Sequence, residues 1–154
     1  MAIFDEHSTN QTATAVLGRR GEELAAKFVE RSGYKLVARN FVAPVGRNRR
    51  SAQIFAEIDL IAYDGETLVF LEVKARSSVE AAPESAVDLR KQRQITRAAR
   101  VYRRLFRQTA QLFRYDVVSV VLPAGKKPRV EIFKRFWSES KFQKRLWADS
   151  LFYQ

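Results

Sequence analysis

Residues 54–76 read IFAEIDLIAYDGETLVFLEVKAR, and this stretch decides the fold. Two β-rich runs, about 54–63 and 67–75, flank Asp64-Gly65, a strong hairpin-turn dipeptide. The second run contains LVFL, apolar at consecutive rather than alternate positions, as in a central strand covered on both faces. Upstream of it, residues 34–42 predict a further strand. Residues 43–51 (APVGRNRRS) read as a loop because of Pro44, Gly46 and the arginines. Earlier still, Leu17, Gly21, Leu24, Ala25 and Phe28 share one face at helical spacing, which predicts a helix over 14–32 ended by Gly33. Gly18 and Gly21 inside it each cost about 1 kcal/mol against alanine, so each is expected where something approaches the backbone closely.

Downstream, the polar loop SSVEAAPES leads to a long helix over 87–108. Strands over 114–122 and 129–133 follow, and then a last helix over 138–152 carrying Phe142, Leu146 and Trp147. The order is α-β-β-β-α-β-β. A three-stranded meander followed by a crossover helix and another strand makes a mixed sheet flanked by helices, an α/β (α+β) fold. Residues 1–13 are polar and expected to be loose, 14–137 form one domain, and 138–154 form a helical extension.

Composition narrows the chemistry. The 154 residues include no cysteine, and His7 is the one histidine. Thiolate nucleophiles, cysteine-ligated zinc, serine–histidine catalysis and multi-histidine metal sites are thereby set aside. Carboxylates, lysines and hydroxyls remain, and carboxylate clusters select oxygen-loving ions such as Mg²⁺ or Mn²⁺. The formal net charge is +11 and the pI about 10.3, which points to a polyanionic partner. No apolar run approaches the ~20 residues that span a bilayer, and the N-terminal segment lacks the pattern of a secretion signal. The expected location is cytoplasmic, with nucleic acid as partner and no membrane.

Side chains alternate across a strand, so Glu72 and Lys74 share a face with Leu68 and Phe70, while Glu57 and Asp59 share a face of the preceding strand. In a regular hairpin a carboxylate from each strand can converge on one pocket, with Lys74 beside it and the Val73 carbonyl as a further oxygen. Phosphodiester hydrolysis needs such a group, because a bound cation carries developing charge and acidifies a water. The competing reading is a solvated cross-strand ion pair. It is weakened because Glu72 and Lys74 end an otherwise buried strand, where isolated charges are disfavoured. Glu22, on the helical row Gly18, Glu22, Ala25, Val29, is a third carboxylate candidate; an ordinary boundary glutamate paired with Arg19 or Lys27 is an equal reading.

On the long helix Arg90, Arg93, Arg97, Arg100, Arg104 and Arg107 recur every three or four residues, opposite Ile95, Ala98, Tyr102, Leu105 and Phe106. Like charges so spaced destabilise a bare helix. A phosphate backbone would supply the missing countercharge, although charged faces are usually just solvated. Lys91 falls on the apolar side near the helix start, and either points into the pocket or snorkels to water.

The ordered segments GRRGEELAAKFVERSGYKLVARNF, EIDLIAYDGETLVFLEVKAR, KQRQITRAARVY and RYDVV resemble the bacterial YraN-type family of predicted endonucleases. That family is similar in fold to archaeal Holliday junction resolvases of the PD-(D/E)XK nuclease superfamily. The resemblance covers about 18–136 and implies a restriction-endonuclease-like αβββαβ core. It implies that Asp59, Glu72 and Glu22 are metal ligands for Mg²⁺ or Mn²⁺ and that Lys74 is the catalytic lysine of Glu-x-Lys. Lys91 and Gln92 match polar positions of some branches more loosely. The implied activity is endonucleolytic hydrolysis of structured or branched DNA, with pairing into a homodimer as in resolvase-like relatives. DNA contacts are expected from Arg76, Lys91, Arg93, Arg97, Arg100 and Arg104. Ala56 stands where the family usually has glycine, and the 43–55 segment is longer than the family pattern. These departures motivate the alternative of a non-catalytic nucleic-acid-binding module on a nuclease fold. The aromatic-rich tail motivates a third, a protein-interaction role.

Overall fold

The computed structural model describes residues 6–78, 87–109 and 111–142, with side chains described from residue 13 onward. The chain runs α1 (Glu6–Arg31), β1 (Lys35–Arg47), β2 (Gln53–Asp64), β3 (Thr67–Arg76), α2 (Leu89–Leu105), β4 (Phe113–Val121) and β5 (Arg129–Trp137). The strands form one sheet in the order β1-β2-β3-β4-β5. β3 and β4 are parallel, across the α2 crossover, and every other pair is antiparallel. This is the expected mixed sheet flanked by helices, an αβββαβ core with a fifth strand.

The sequence explains the layers. LVFL at 68–71 is wholly buried because β3 is the central strand. Leu68 and Phe70 join Ile95, Ala98, Ala99 and Tyr102 of α2 on one face. Val69 and Leu71 join Ala25, Ala26 and Val29 of α1 on the other. Gly21 sits where α1 crosses β3: a Cβ there would lie 2.3 Å from Ala75 Cβ, so only glycine permits this approach. Gly18 meets nothing within 4 Å, so the expected close contact exists at one of the two glycines. Gly33, at φ +94, ends α1, and Gly65, at φ +59, makes the β2–β3 turn.

Four boundaries differ from expectation. Helix α1 begins at Glu6 rather than 14, running through residues expected to be loose. The segment expected as a loop over 43–51 is largely strand, since β1 continues to Arg47 and pairs back on β2. Pro44 is accommodated because β1 is an edge strand, where a missing N–H leaves no ladder bond unmade. β5 extends four residues further, to Trp137, through a kink at Arg135 (φ 55). Leu105 and Phe106, expected on the buried face of the long helix, are exposed because α2 ends at Leu105. Of the last expected helix, only residues 138–142 lie inside the described part, and 140–142 of these are helical. Among the described residues no helix is long and apolar enough to cross a membrane.

Candidate functional site

The site forms where two strands part. β2 and β3 pair from the turn up to Leu60–Leu71 and no further. Just beyond, the inside–outside alternation slips: Ala56 and Ile58 face α2, whereas Leu60 and Ala62 face α1. The same change of face occurs in β1 around Asn40, which adopts φ 50. Asn tolerates this left-handed backbone better than most residues. The expected regular hairpin therefore ends at Leu60, and Asp59 takes over the role of the missing strand neighbour. Its Oδ2 accepts the Val73 N–H at 2.8 Å, which fixes the carboxylate against β3.

Glu72 follows on the α2-facing side of β3 and is 3% exposed. Its Oε1 lies 3.5 Å from Lys74 Nζ and 3.7 Å from Lys91 Nζ. Its Oε2 is buried and accepts no hydrogen bond from an N–H or hydroxyl group. Lys91 thus points at the pocket rather than merely snorkelling. It is aimed from the first turn of α2, where Asp88 Oδ1 caps its backbone N–H at 2.8 Å. Burial, and then the neighbouring Asp59 charge, push the Glu72 carboxyl up to about 8, against the opposing pull of Lys91 and Lys74. Burial also raises Asp59, opposed by the Val73 N–H and by a hydrogen bond with Glu72. The two carboxyl groups are therefore near enough to share a proton.

Glu22 stands on the α1 side of Asp59. It accepts a 3.4 Å hydrogen bond from Asn40 Nδ2, which also donates to Glu57 Oε1 at 2.6 Å. Burial raises its carboxyl, and the Asp59 and Glu57 charges add to the effect. A cavity of about 240 Å³ is lined by Arg19, Glu22, Glu23, Arg39, Asn40, Asp59 and Leu60. Asn40 thus links Glu22 to Glu57, and Glu22 shares the cavity with Asp59. Among the described residues no three His, Cys, Asp or Glu side chains come close enough to hold a metal together.

The chemistry present nevertheless suits a hard divalent ion. Mg²⁺ is commonly bound by one or two carboxylates and completes its octahedron with water and phosphate oxygens. Asp59 and Glu72 supply two such carboxylates. The orphaned Glu72 Oε2 is an acceptor that burial would otherwise penalise.

The arginines divide. Arg97 and Arg104 of the α2 stripe are exposed. Arg100 Nε lies 3.5 Å from Glu139 and Arg93 lies over the Phe142 ring, so both meet the segment after β5. Arg107 falls outside the helix at φ 53. Arg76 donates from Nη2 to Ser119 Oγ at 3.4 Å, while its Nε and Nη1 are buried and unpartnered. It shares the α2-facing side of β3 with Glu72 and Lys74. Gln92 does not enter the pocket: its amide donates to the Val87 carbonyl and accepts from Lys141.

Sequence reasoning missed Asn40, whose signal was a strand-breaking residue type inside an otherwise strand-like run. It also missed the fully buried Asp116, which accepts bonds from Arg114, Tyr34 and the Arg135 N–H.

A family model described as "Uncharacterised protein family UPF0102" matches residues 21–120. A UPF0102 protein of Chlorobium limicola is 37% identical over 131 residues, 80% of this chain and 94% of the relative. One from Chlorobium chlorochromatii is 41% identical over 134 residues, covering 82% and 95%. One from Geobacter metallireducens is 40% identical over 116 residues, covering 75% and 86%. The matched span contains Glu22, Asp59, Glu72, Lys74 and Lys91.

Proposed function

This chain belongs to the uncharacterised family UPF0102, and we propose that it is a metal-dependent endonuclease of the PD-(D/E)XK type acting on structured DNA. One observation carries the reading. The carboxyl groups of buried Glu72 and half-buried Asp59, from diverging strands, sit against each other, with two lysines beside Glu72 and no N–H or hydroxyl donor on its buried Oε2.

Asp59 and Glu72 would hold Mg²⁺ or Mn²⁺, which when bound supplies charge neutralisation at the phosphate and an acidified water. The Val73 N–H holds Asp59 Oδ2 and fixes the carboxylate against β3. Lys74, beside Glu72, orients the attacking water or the phosphate through its ammonium donors. Lys91, held by the capped start of α2, approaches from the opposite layer and offsets the carboxylate charge. Glu22 sits outside the pair, on the cavity it shares with Asp59, and would position a water on the α1 side.

Incubation of the purified chain with duplex, flap and four-way-junction DNA in Mg²⁺ or Mn²⁺ tests the proposal. Nicking is expected, with loss in Glu72→Ala and Lys74→Ala. Binding with no cleavage in any metal would leave only a nucleic-acid-binding module, and cleavage surviving both substitutions would refute the site.

A further inference from the structure

The β1–β2 pairing does not stop at the candidate site. Past Asn40 and Glu57 the two strands continue as a ribbon, pairing Val42 with Glu57, Pro44 with Phe55 and Arg47 with Gln53. One face of this ribbon is closed: Ala43 and Ala56 are buried in the α2-side core, with Val45 packed against it. The opposite face is open. There Val42 is 54% and Phe55 60% exposed, with Pro44 between them across the strands. It is the face on which Asn40 reaches Glu22 and Glu57, so the apolar patch adjoins the cavity beside Asp59.

The tip is ordered by Asn48. Its Oδ1 accepts the Arg50 and Ala52 N–H groups, and its backbone N–H pairs with the Ala52 carbonyl. Arg47 donates to the Ser51 carbonyl at 2.7 Å. Arg49 and Arg50 are exposed, and among the described residues their side chains have no partner. No acid occurs between Arg39 and Glu57. A rigid turn carrying unpaired guanidinium groups, beyond an exposed aromatic that borders a carboxylate site, is complementary to a phosphate backbone.

We propose that this ribbon is a nucleic-acid-binding arm. Arg49 and Arg50 at its tip hold the phosphates of the duplex flanking the cut, and Phe55 packs against the sugar and base surface nearer the site. The inference rests on the reading of Asp59 and Glu72 as the cutting site. From Asp59 to Gln53 the strand advances about 20 Å at roughly 3.3 Å per residue. At about 3.4 Å per base step, the tip reaches some six base pairs from the cleaved bond. The ordered turn reduces the conformational entropy lost on binding.

The test compares the full-length wild type, Arg49→Gln/Arg50→Gln and Phe55→Ala for binding to a labelled 30-base-pair duplex across a salt series in Ca²⁺. Removing two phosphate contacts should reduce the slope of log affinity against log salt by about 1.8. The deficit of the double variant should then shrink about tenfold between 50 and 200 mM salt. Phe55→Ala should weaken binding by about fivefold at every salt concentration without changing the slope, the loss expected when about 40 Å² of apolar surface is no longer buried. Hydrolysis of a small phosphodiester too short to reach the arm should be the same in all three chains. An unchanged slope in the double variant overturns the arm, even where the small ester is cleaved. A slope change in a chain that cleaves nothing keeps the arm and sinks the hydrolytic reading instead. A shift from dimer to monomer in light scattering, with DNA binding unaltered, also overturns the proposal and makes the ribbon a contact between copies.

Discussion

Replacing Glu72 with glutamine should make the metal-free protein more stable, and the size of the effect follows from the site. The folded chain holds this carboxyl at about 8 against an ordinary value of 4.5. A carboxyl raised on folding contributes stability that is fully present below pH 4.5 and is lost as pH rises through about 8. At about 1.4 kcal/mol per pH unit, ionisation withdraws roughly 3 kcal/mol by pH 7 and under about 1 kcal/mol at pH 5. Glutamine is neutral throughout and escapes this loss. The opposing effect is rupture of the contacts with Lys74 and Lys91. Breaking a well-made buried pair costs about 3–5 kcal/mol, chiefly by stranding a charge. Here both lysine side chains are 34% exposed at 3.5 and 3.7 Å, so water can solvate them once the glutamate is gone. Desolvation of Glu72 therefore wins. Thermal unfolding of wild type and Glu72→Gln in chelator should show the variant ahead by roughly 5–10 °C at pH 7 and nearly level at pH 5. Saturating Mn²⁺ should then raise the wild type selectively, by about 2.7 kcal/mol at a hundredfold excess over Kd. A variant less stable than wild type at every pH would refute the reasoning and make Glu72 a structural ion-pair member.

The two glycines of α1 form a matched pair. Gly21→Ala should destabilise by about 1–3 kcal/mol in urea unfolding, since its Cβ collides with Ala75. Gly18→Ala, with open space around it, should stabilise by about 0.5–1 kcal/mol. Asp116→Ala leaves Arg114 and the Arg135 N–H without their buried acceptor, and should cost about 3–5 kcal/mol by the same assay. Arg97→Gln/Arg104→Gln removes exposed charges and should lower DNA affinity and its salt slope with little change in unfolding midpoint. Arg100→Gln, which loses Glu139, should alter stability more than binding.

Much of this arrangement was legible in residue order. The LVFL run reads as a covered strand, and its burial on both faces puts β3 at the centre with a helix on either side. The Glu-x-Lys spacing put Glu72 and Lys74 on one face regardless of twist, because strand period 2 leaves no alternative. What resisted reading was geometry that breaks periodicity. The parting of β2 from β3 at Leu60, and the change of face at Asn40, bring Asp59 to the Val73 N–H; no local pattern announces where a ladder ends. The 43–51 segment looked like a loop because Pro and Gly are turn signals, yet an edge strand tolerates both. The α2 arginines looked like one stripe, but Glu139 and Phe142 come from a distant segment whose return to the helix is a tertiary fact. Asp116 is invisible for the same reason: two of its donors, at positions 34 and 135, reach it only in the assembled sheet.

Anomalous diffraction from crystals soaked in Mn²⁺ bears most directly on the site, because it reports an ion without needing the right substrate. A single strong peak should appear between the Asp59 and Glu72 carboxylates, within roughly 2.0–2.3 Å of an oxygen from each, and should vanish in Asp59→Asn. Occupied Mn²⁺ sites elsewhere with none between these two carboxylates, in a protein that still nicks DNA, would contradict the account.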